Sequence, residues 1–167
     1  PLVPKGYEIA HEQFRLPIDP ASRSFSVQGP ALQCSENGNL LSVQSSRVAF
    51  VFDKSTGLVT SYKVKGTEYF HEGFGIQPNF WRAPNDNDYG SQMPKRLQIW
   101  KQSSKNFNVV DASLAMDGKD AVLKVSYLLA AGNLYIATYR IHPSGVVKAN
   151  YTFTSTEMEA AKTEASE

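Results

Sequence analysis

The chain has 167 residues, enough for one ordinary domain and too few for a barrel enzyme carrying further modules. Its 17 Lys and Arg balance 16 Asp and Glu, so the formal net charge of +1 gives no global field to attract nucleic acid or an anionic membrane. The one cysteine, Cys34, excludes an internal disulfide framework and a cysteine-built zinc site, and no apolar run approaches the roughly 18 residues of a membrane span.

Residues 7–16 alternate, with Tyr7, Ile9, His11, Gln13 and Arg15 on one face, and are expected to form a strand. Pro17, Asp19-Pro20, three serines and Gly29-Pro30 follow, the punctuation of an inter-domain connector. A β-meander then begins, with strands expected at 39–45 and 47–52, a turn at Asp53-Lys54-Ser55-Thr56-Gly57, and strands at 58–64 and 68–70. Residues 74–82 are apolar and aromatic without clean alternation, which suggests an irregular strand entering a loop at Ala83-Pro84. Residues 94–102 are the one expected helical stretch, with Pro94 early and Leu97 and Trp100 three apart. Long strands are expected at 106–116, 121–129, 134–141 and 146–153, joined by Asp117-Gly118, Gly132-Asn133 and Pro143-Ser144-Gly145. The Thr-, Glu- and Ala-rich stretch 155–167 is too weak a helix to stand alone and reads as disordered or truncated. Residues 1–7 do not read as a secretory signal, and both ends read as cut points in a longer polypeptide.

The densest polar cluster is Phe80-Trp81-Arg82-Ala83-Pro84-Asn85-Asp86-Asn87-Asp88-Tyr89-Gly90. Asp86 and Asp88 are two apart, so an extended backbone would aim both the same way. Three readings compete. A retaining glycosidase needs two carboxyl groups about 5–5.5 Å apart on opposite sides of a sugar, which neighbours in sequence rarely provide. Calcium coordination would use the hard oxygens of Asp86, Asn87 and Asp88, but Ser91 and Leu97 stand where an EF-hand needs Gly and Glu. The third reading is structural: Asn and Asp side chains bond backbone amides, and Arg82 pairs with a carboxylate. Residue chemistry alone favours this third reading.

His11, His71 and His142 have no zinc-pair spacing, and His71-Glu72, as adjacent strand residues, would face opposite sides. Phe70, Phe74, Phe80, Trp81, Tyr89 and Trp100 crowd the central third. Most such rings are core in an all-β domain, with Trp81 and Tyr89 the best surface candidates for stacking on a sugar.

The segment Asn79-Phe80-Trp81-Arg82-Ala83-Pro84-Asn85-Asp86-Asn87-Asp88-Tyr89-Gly90 resembles the Arg-Ala-Pro-x-Asp-Asn-Asp-x-Gly segment of the large multidomain β-galactosidases of glycoside hydrolase family two. The upstream 51–62 resembles that family's strand, glycine turn and strand, and 7–16 resembles the last strand of its preceding immunoglobulin-like domain. The resemblance implies an all-β fold: an incomplete antiparallel β-sandwich of the large twisted, galactose-mutarotase-like supersandwich type. It assigns 1–17 to that preceding strand, 18–37 to a linker, 38–154 to the sandwich and 155–167 to a polar tail.

It also implies a role. Both catalytic glutamates of the family lie in a (β/α)8 barrel domain of the same chain, so no catalytic and no metal-binding residue is expected here. The family's Mg and Na ions bind elsewhere. Asp86, Asn87, Asp88, Tyr89, Gly90 and Ser91 match a loop at the rim of the galactoside site, supported by Trp81, Arg82 and Pro84, with Gly90 as hinge and 91–96 as the moving part. The partners implied are a galactoside in the intact enzyme, the barrel, and a second copy through exposed sheet edges; neither nucleic acid nor membrane is expected. A soluble protein of cytoplasm or periplasm fits. The alternatives are a stand-alone carbohydrate-binding module and a structural interaction module.

Overall fold

The computed structural model describes residues 3–8, 14, 26–130 and 132–155. The expected strand at 7–16 and the tail at 155–167 lie almost wholly outside the described residues.

Among the described residues, nine strands form two antiparallel meanders. The first sheet runs in chain order through β1 (Gln33–Asn37), β2 (Leu40–Gln44), β3 (Val48–Asp53), β4 (Leu58–Val64) and β5 (Thr67–Glu68). The second runs through β6 (Phe107–Asp117), β7 (Asp120–Leu129), β8 (Leu134–Ile141) and β9 (Val147–Thr154). Three short helices lie between the sheets in sequence: α1 (Asp86–Gly90), α2 (Met93–Arg96) and α3 (Gln98–Ser103). This is the all-β, incomplete-sandwich architecture that the resemblance implies.

Alternation selects the inward face. Val48, Phe50 and Phe52 of β3 are buried, as are Ala121, Leu123, Val125, Tyr127 and Leu129 of β7 and Ala137, Tyr139 and Ile141 of β8. With Leu41, Val43 and Val59 they form one cluster drawn from both sheets, each large side chain contributing about 1.5–3 kcal/mol through water exclusion. Polar ties pin the layers to one another. The Tyr127 hydroxyl donates to the Gly57 carbonyl at 3.0 Å, the Tyr62 hydroxyl donates to the Gly145 carbonyl, and the Phe50 and Tyr139 rings meet at 5.8 Å. Burial pushes the Tyr127 phenol upward, which keeps it a neutral donor, and pushes Tyr135 up to about 12. Gly57 meets two demands at once. Its φ is +70°, and a Cβ there would stand 3.1 Å from the Phe107 ring and from Val109.

Three expectations change. The linker expected over 18–37 ends earlier, because Gln33–Asn37 pairs with β2 across a two-residue Gly38-Asn39 connection, Gly38 taking φ +58°. The segment 74–82 is not a strand. The single helix expected at 94–102 is two helices, and a third, α1, precedes them.

Two β-bulges also escape a strict period of two. Between β3 and β4 the register shifts so that Phe52 faces Val59 while Val51 faces Ser61. The extra residue lets Val59 and Tyr62, three apart, both turn toward the core. In β6 the same device at Val110, which is exposed, brings both Val109 and Ala112 inward.

Candidate functional site

The polar cluster is delivered by a segment that leaves β5 and runs back against β4, where Gly73 and Gly75 lie beside the Thr60 and Val59 carbonyls. Glu68 anchors its start. Its carboxylate accepts from the Ser61 hydroxyl at 2.5 Å and from the backbone amides of Tyr62, Tyr69 and Phe70 at 2.9–3.1 Å. These donors, Ser61 first, pull its pKa from 4.5 to about 2. A depressed carboxyl adds stability that is complete above pH 4.5 and is lost as pH falls toward about 2. Glu68→Gln is therefore expected to be less stable than the parent near neutrality, with the gap closing between those two pH values. Thermal melts stepped through that window read it.

His71 and Glu72 lie on a 3-10 turn (His71–Gly73) rather than on a strand, because Glu72 takes φ +50°. Their side chains come within 3.7 Å but are almost fully exposed, which leaves them without the dry surroundings an acid–base pair needs. Gly75 and Pro78 are buried, and the backbone then reaches Phe80. The Phe80 amide donates to the Ser104 hydroxyl at 2.7 Å, and that hydroxyl donates to the Trp100 carbonyl at 3.1 Å. The Phe80 ring meets Trp100, Tyr135 and Phe153 at 5.8–5.9 Å.

Beyond Phe80 the motif folds on itself. Asn85 caps α1 through a reciprocal pair: its side chain accepts from the Asp88 amide at 3.1 Å, and the Asp88 carboxylate accepts from the Asn85 amide at 2.8 Å. The same carboxylate takes both guanidinium nitrogens of Arg82, at 2.5 and 2.9 Å. Arg82 and the Asn85 amide hold the Asp88 carboxyl below the usual carboxylate range, and Asp88 raises Arg82 in turn. Asp88 is thus fully engaged within the loop. Because α1 is helical, Asp86 and Asp88 do not project together as an extended backbone would have them.

Of the remaining candidates, Trp81 and Pro84 are half-buried, while Asp86, Asn87, Tyr89, Gly90 and Ser91 are exposed. Ser91 donates its hydroxyl to the Asp88 carbonyl at 3.1 Å, and its own carbonyl accepts from Arg96 Nε at 3.0 Å. A depression of about 270 Å³ opens beside the Arg82–Asp88 pair, with Phe80, Trp81, Met93, Leu97 and Trp100 as its walls. The walls thus combine aromatic faces with a charged pair, groups that can stack and hydrogen-bond. Among the described residues there is no group of three or more His, Cys, Asp and Glu placed to hold a metal ion. Nor is any helix among them long and apolar enough to cross a membrane.

The sequence reading missed the Glu68 anchor, the Ser104 bridge and the contributions of Met93 and Leu97. The Asn85–Asp88 spacing is a capping signal and was available. A second polar group also went unnoticed: Arg140 binds Asp117 at 2.7 Å and Asp120 at 3.1 Å, and His142 Nδ1 meets Asp120 at 2.8 Å, tying the β6–β7 turn to the end of β8.

Comparison with known proteins gives a consistent answer. A family described as "Beta galactosidase small chain" matches residues 44–164. The chain is 36% identical over 137 residues to a β-galactosidase of Priestia megaterium (strain DSM 319 / IMG 1521), covering 74% of this chain and 13% of that protein. It is 30% identical over 126 residues to a β-galactosidase of Kluyveromyces lactis, covering 72% of this chain and 12% of that protein. A β-galactosidase small subunit of Latilactobacillus sakei is 29% identical over 77 residues, which is 46% of this chain and 24% of that protein. The chain thus spans about an eighth of the length of the first two relatives.

Proposed function

The chain belongs to the β-galactosidase small-chain family, and on that premise we propose that it is the non-catalytic β-sandwich part of a retaining β-galactosidase acting on terminal β-D-galactosides. Its contribution is the loop at 81–91, held at the rim of a galactoside site whose two catalytic carboxylates lie in another domain. The observation that carries this reading is the closed Arg82–Asp88–Asn85 unit. It stiffens the base of the loop while Asp86, Asn87 and Tyr89 remain exposed, with no side-chain partner among the described residues. Stiff support below and free polar and aromatic groups above is what positioning a bound sugar requires.

Gly90 supports the hinge role from another side. It ends α1 without a positive φ, and a Cβ there would meet nothing, so this conformation makes no demand for glycine. The residue would be needed in a second conformation, closed over a bound galactoside. The preceding immunoglobulin-like strand and the linker belong to the same reading.

A graft tests the proposal. The aligned stretch of the P. megaterium β-galactosidase is replaced by the corresponding residues of this chain, and hydrolysis of a chromogenic β-galactoside is followed. The graft is expected to be active, and Asp88→Ala within it to lower kcat/KM by roughly tenfold to a hundredfold through misplacement of the loop. The 167-residue chain alone is expected to give no turnover. Turnover by the chain alone, or a graft indifferent to Asp88, would overturn the reading.

A further inference from the structure

Two hairpins share one design and differ in a side chain. Asn37 pairs with Leu40 across Gly38-Asn39, and Asp117 pairs with Asp120 across Gly118-Lys119. The two glycines take φ +58° and +63°, and a Cβ on either would meet nothing within 4 Å. Each glycine nitrogen thus follows an acidic or amide side chain with no side chain of its own to shield it. Asp117 is held, because Arg140 donates to its carboxylate at 2.7 Å. Asn37 is exposed, and its carboxamide has no hydrogen-bond partner among the described residues. The Gly38 N–H makes no hydrogen bond among them either. Asn37 is also the only asparagine of the sequence that glycine follows.

We propose that Asn37 is a site of spontaneous deamidation, at which the Gly38 nitrogen closes onto the Asn37 carboxamide and the chain passes into an isoaspartyl form loosened at β1. The bond from Gly38 N to Asn37 Cγ forms as the Cγ–Nδ2 bond breaks, and the Gly38 amide proton leaves with ammonia. Water then opens the cyclic imide. Cleavage at the main-chain carbonyl routes the backbone through the side chain and leaves a free α-carboxylate, which is isoaspartate. Cleavage at the side-chain carbonyl gives ordinary aspartate. A paired strand residue is extended, which holds the two reacting atoms apart, so ring closure occurs when the hairpin end opens. β1 is built to allow that opening. It has five residues, four of them exposed, and it is the last strand of its sheet among the described residues. Asp117 would have to expel water rather than ammonia, and Arg140 keeps its carboxylate engaged.

The product disturbs what β1 carries. An isoaspartyl link adds a backbone carbon at the pair that closes the hairpin, and this spoils the register that sets Cys34 opposite Val43. Cys34 packs against the core, with its thiol donating to Met116 Sδ at 3.4 Å. It is the only cysteine, so its reactivity reports on β1 alone.

The test ages the 167-residue chain in mildly alkaline buffer. An isoaspartyl methyltransferase with labelled S-adenosylmethionine marks isoaspartate, and peptide mapping locates the label. Labelling at position 37 is expected to exceed that at any other Asn or Asp among the described residues by about tenfold or more. Cys34 in the labelled fraction is expected to react with an aromatic disulfide reagent about tenfold faster than in fresh chain. Asn37→Gln keeps an amide but lengthens the side chain beyond ready ring closure, and should remove both changes. Two results overturn the proposal: label appearing at Asp117 or another site ahead of position 37, or isoaspartate at 37 with Cys34 as slow as before. The inference draws nothing from the galactosidase reading, which neither result touches.

Discussion

Gly75→Ala is expected to lower stability by about 3 kcal/mol, toward the upper end of the usual cost of overpacking, and to disturb the site it helps to place. A Cβ at this position would stand 1.7 Å from the Val59 carbonyl oxygen and 2.8 Å from its carbon, with the Phe70 ring at 3.3 Å. The first two are backbone atoms inside a paired strand and cannot rotate away. The segment leading to Phe80 must therefore lift off β4, and Val59, 1% exposed in the parent, gains water. Trp81 and Trp100 are the only two tryptophans and both border the site, so their fluorescence reports the lift directly. The expected result is a red-shifted folded-state emission together with a lower urea midpoint. An unchanged midpoint would mean that β4 and the 74–80 segment are not in the contact described. Against a typical domain stability of about 5–15 kcal/mol, a loss of this size leaves a measurable unfolded population.

That position also shows where sequence reading stops. Apart from β1, which was read as linker, the strands of both meanders were legible, because Val48, Phe50 and Phe52, or Leu123, Val125 and Tyr127, repeat with the period of two that a half-buried strand imposes. Gly57 was legible as a turn, since Asp53 to Gly57 carries its own turn chemistry. Gly75 gave no such sign. The demand for glycine comes from a carbonyl sixteen residues away, and proximity of that kind has no local pattern. The bulges at Thr60 and Val110 were hidden for the opposite reason: each breaks the period that reveals the strand around it. In the polar cluster, residue chemistry anticipated that Arg82 would pair with a carboxylate, and the pair is there. It also anticipated Asn and Asp side chains bonding backbone amides, as Asn85 and Asp88 do, but placed them in a loop and so did not anticipate that the pair starts α1. The resemblance to β-galactosidases was carried by that stretch together with 51–62 and 7–16, and the family match over 44–164 covers the first two of these and reaches both sheets.

The largest single loss of stability is expected from Phe52→Ala. The side chain is fully buried on the central strand of the first sheet, with Leu41 opposite on β2 and Val59 opposite on β4. Removing the ring deletes its transfer free energy and leaves a cavity whose walls are backbone-paired strands on either side, which limits collapse. The expected cost is about 3–5 kcal/mol. Two features separate this variant from Gly75→Ala. Phe52 takes no part in the ring contacts that join Phe80, Trp100, Tyr135 and Phe153, so tryptophan emission of the folded state should match the parent. The urea m-value should also hold, because the same surface is exposed on unfolding, while the midpoint falls. A cost under about 1 kcal/mol would be the signature of a site that collapses freely. In that case the two sheets would not be held apart at Phe52, and the core described between them would have to be redrawn.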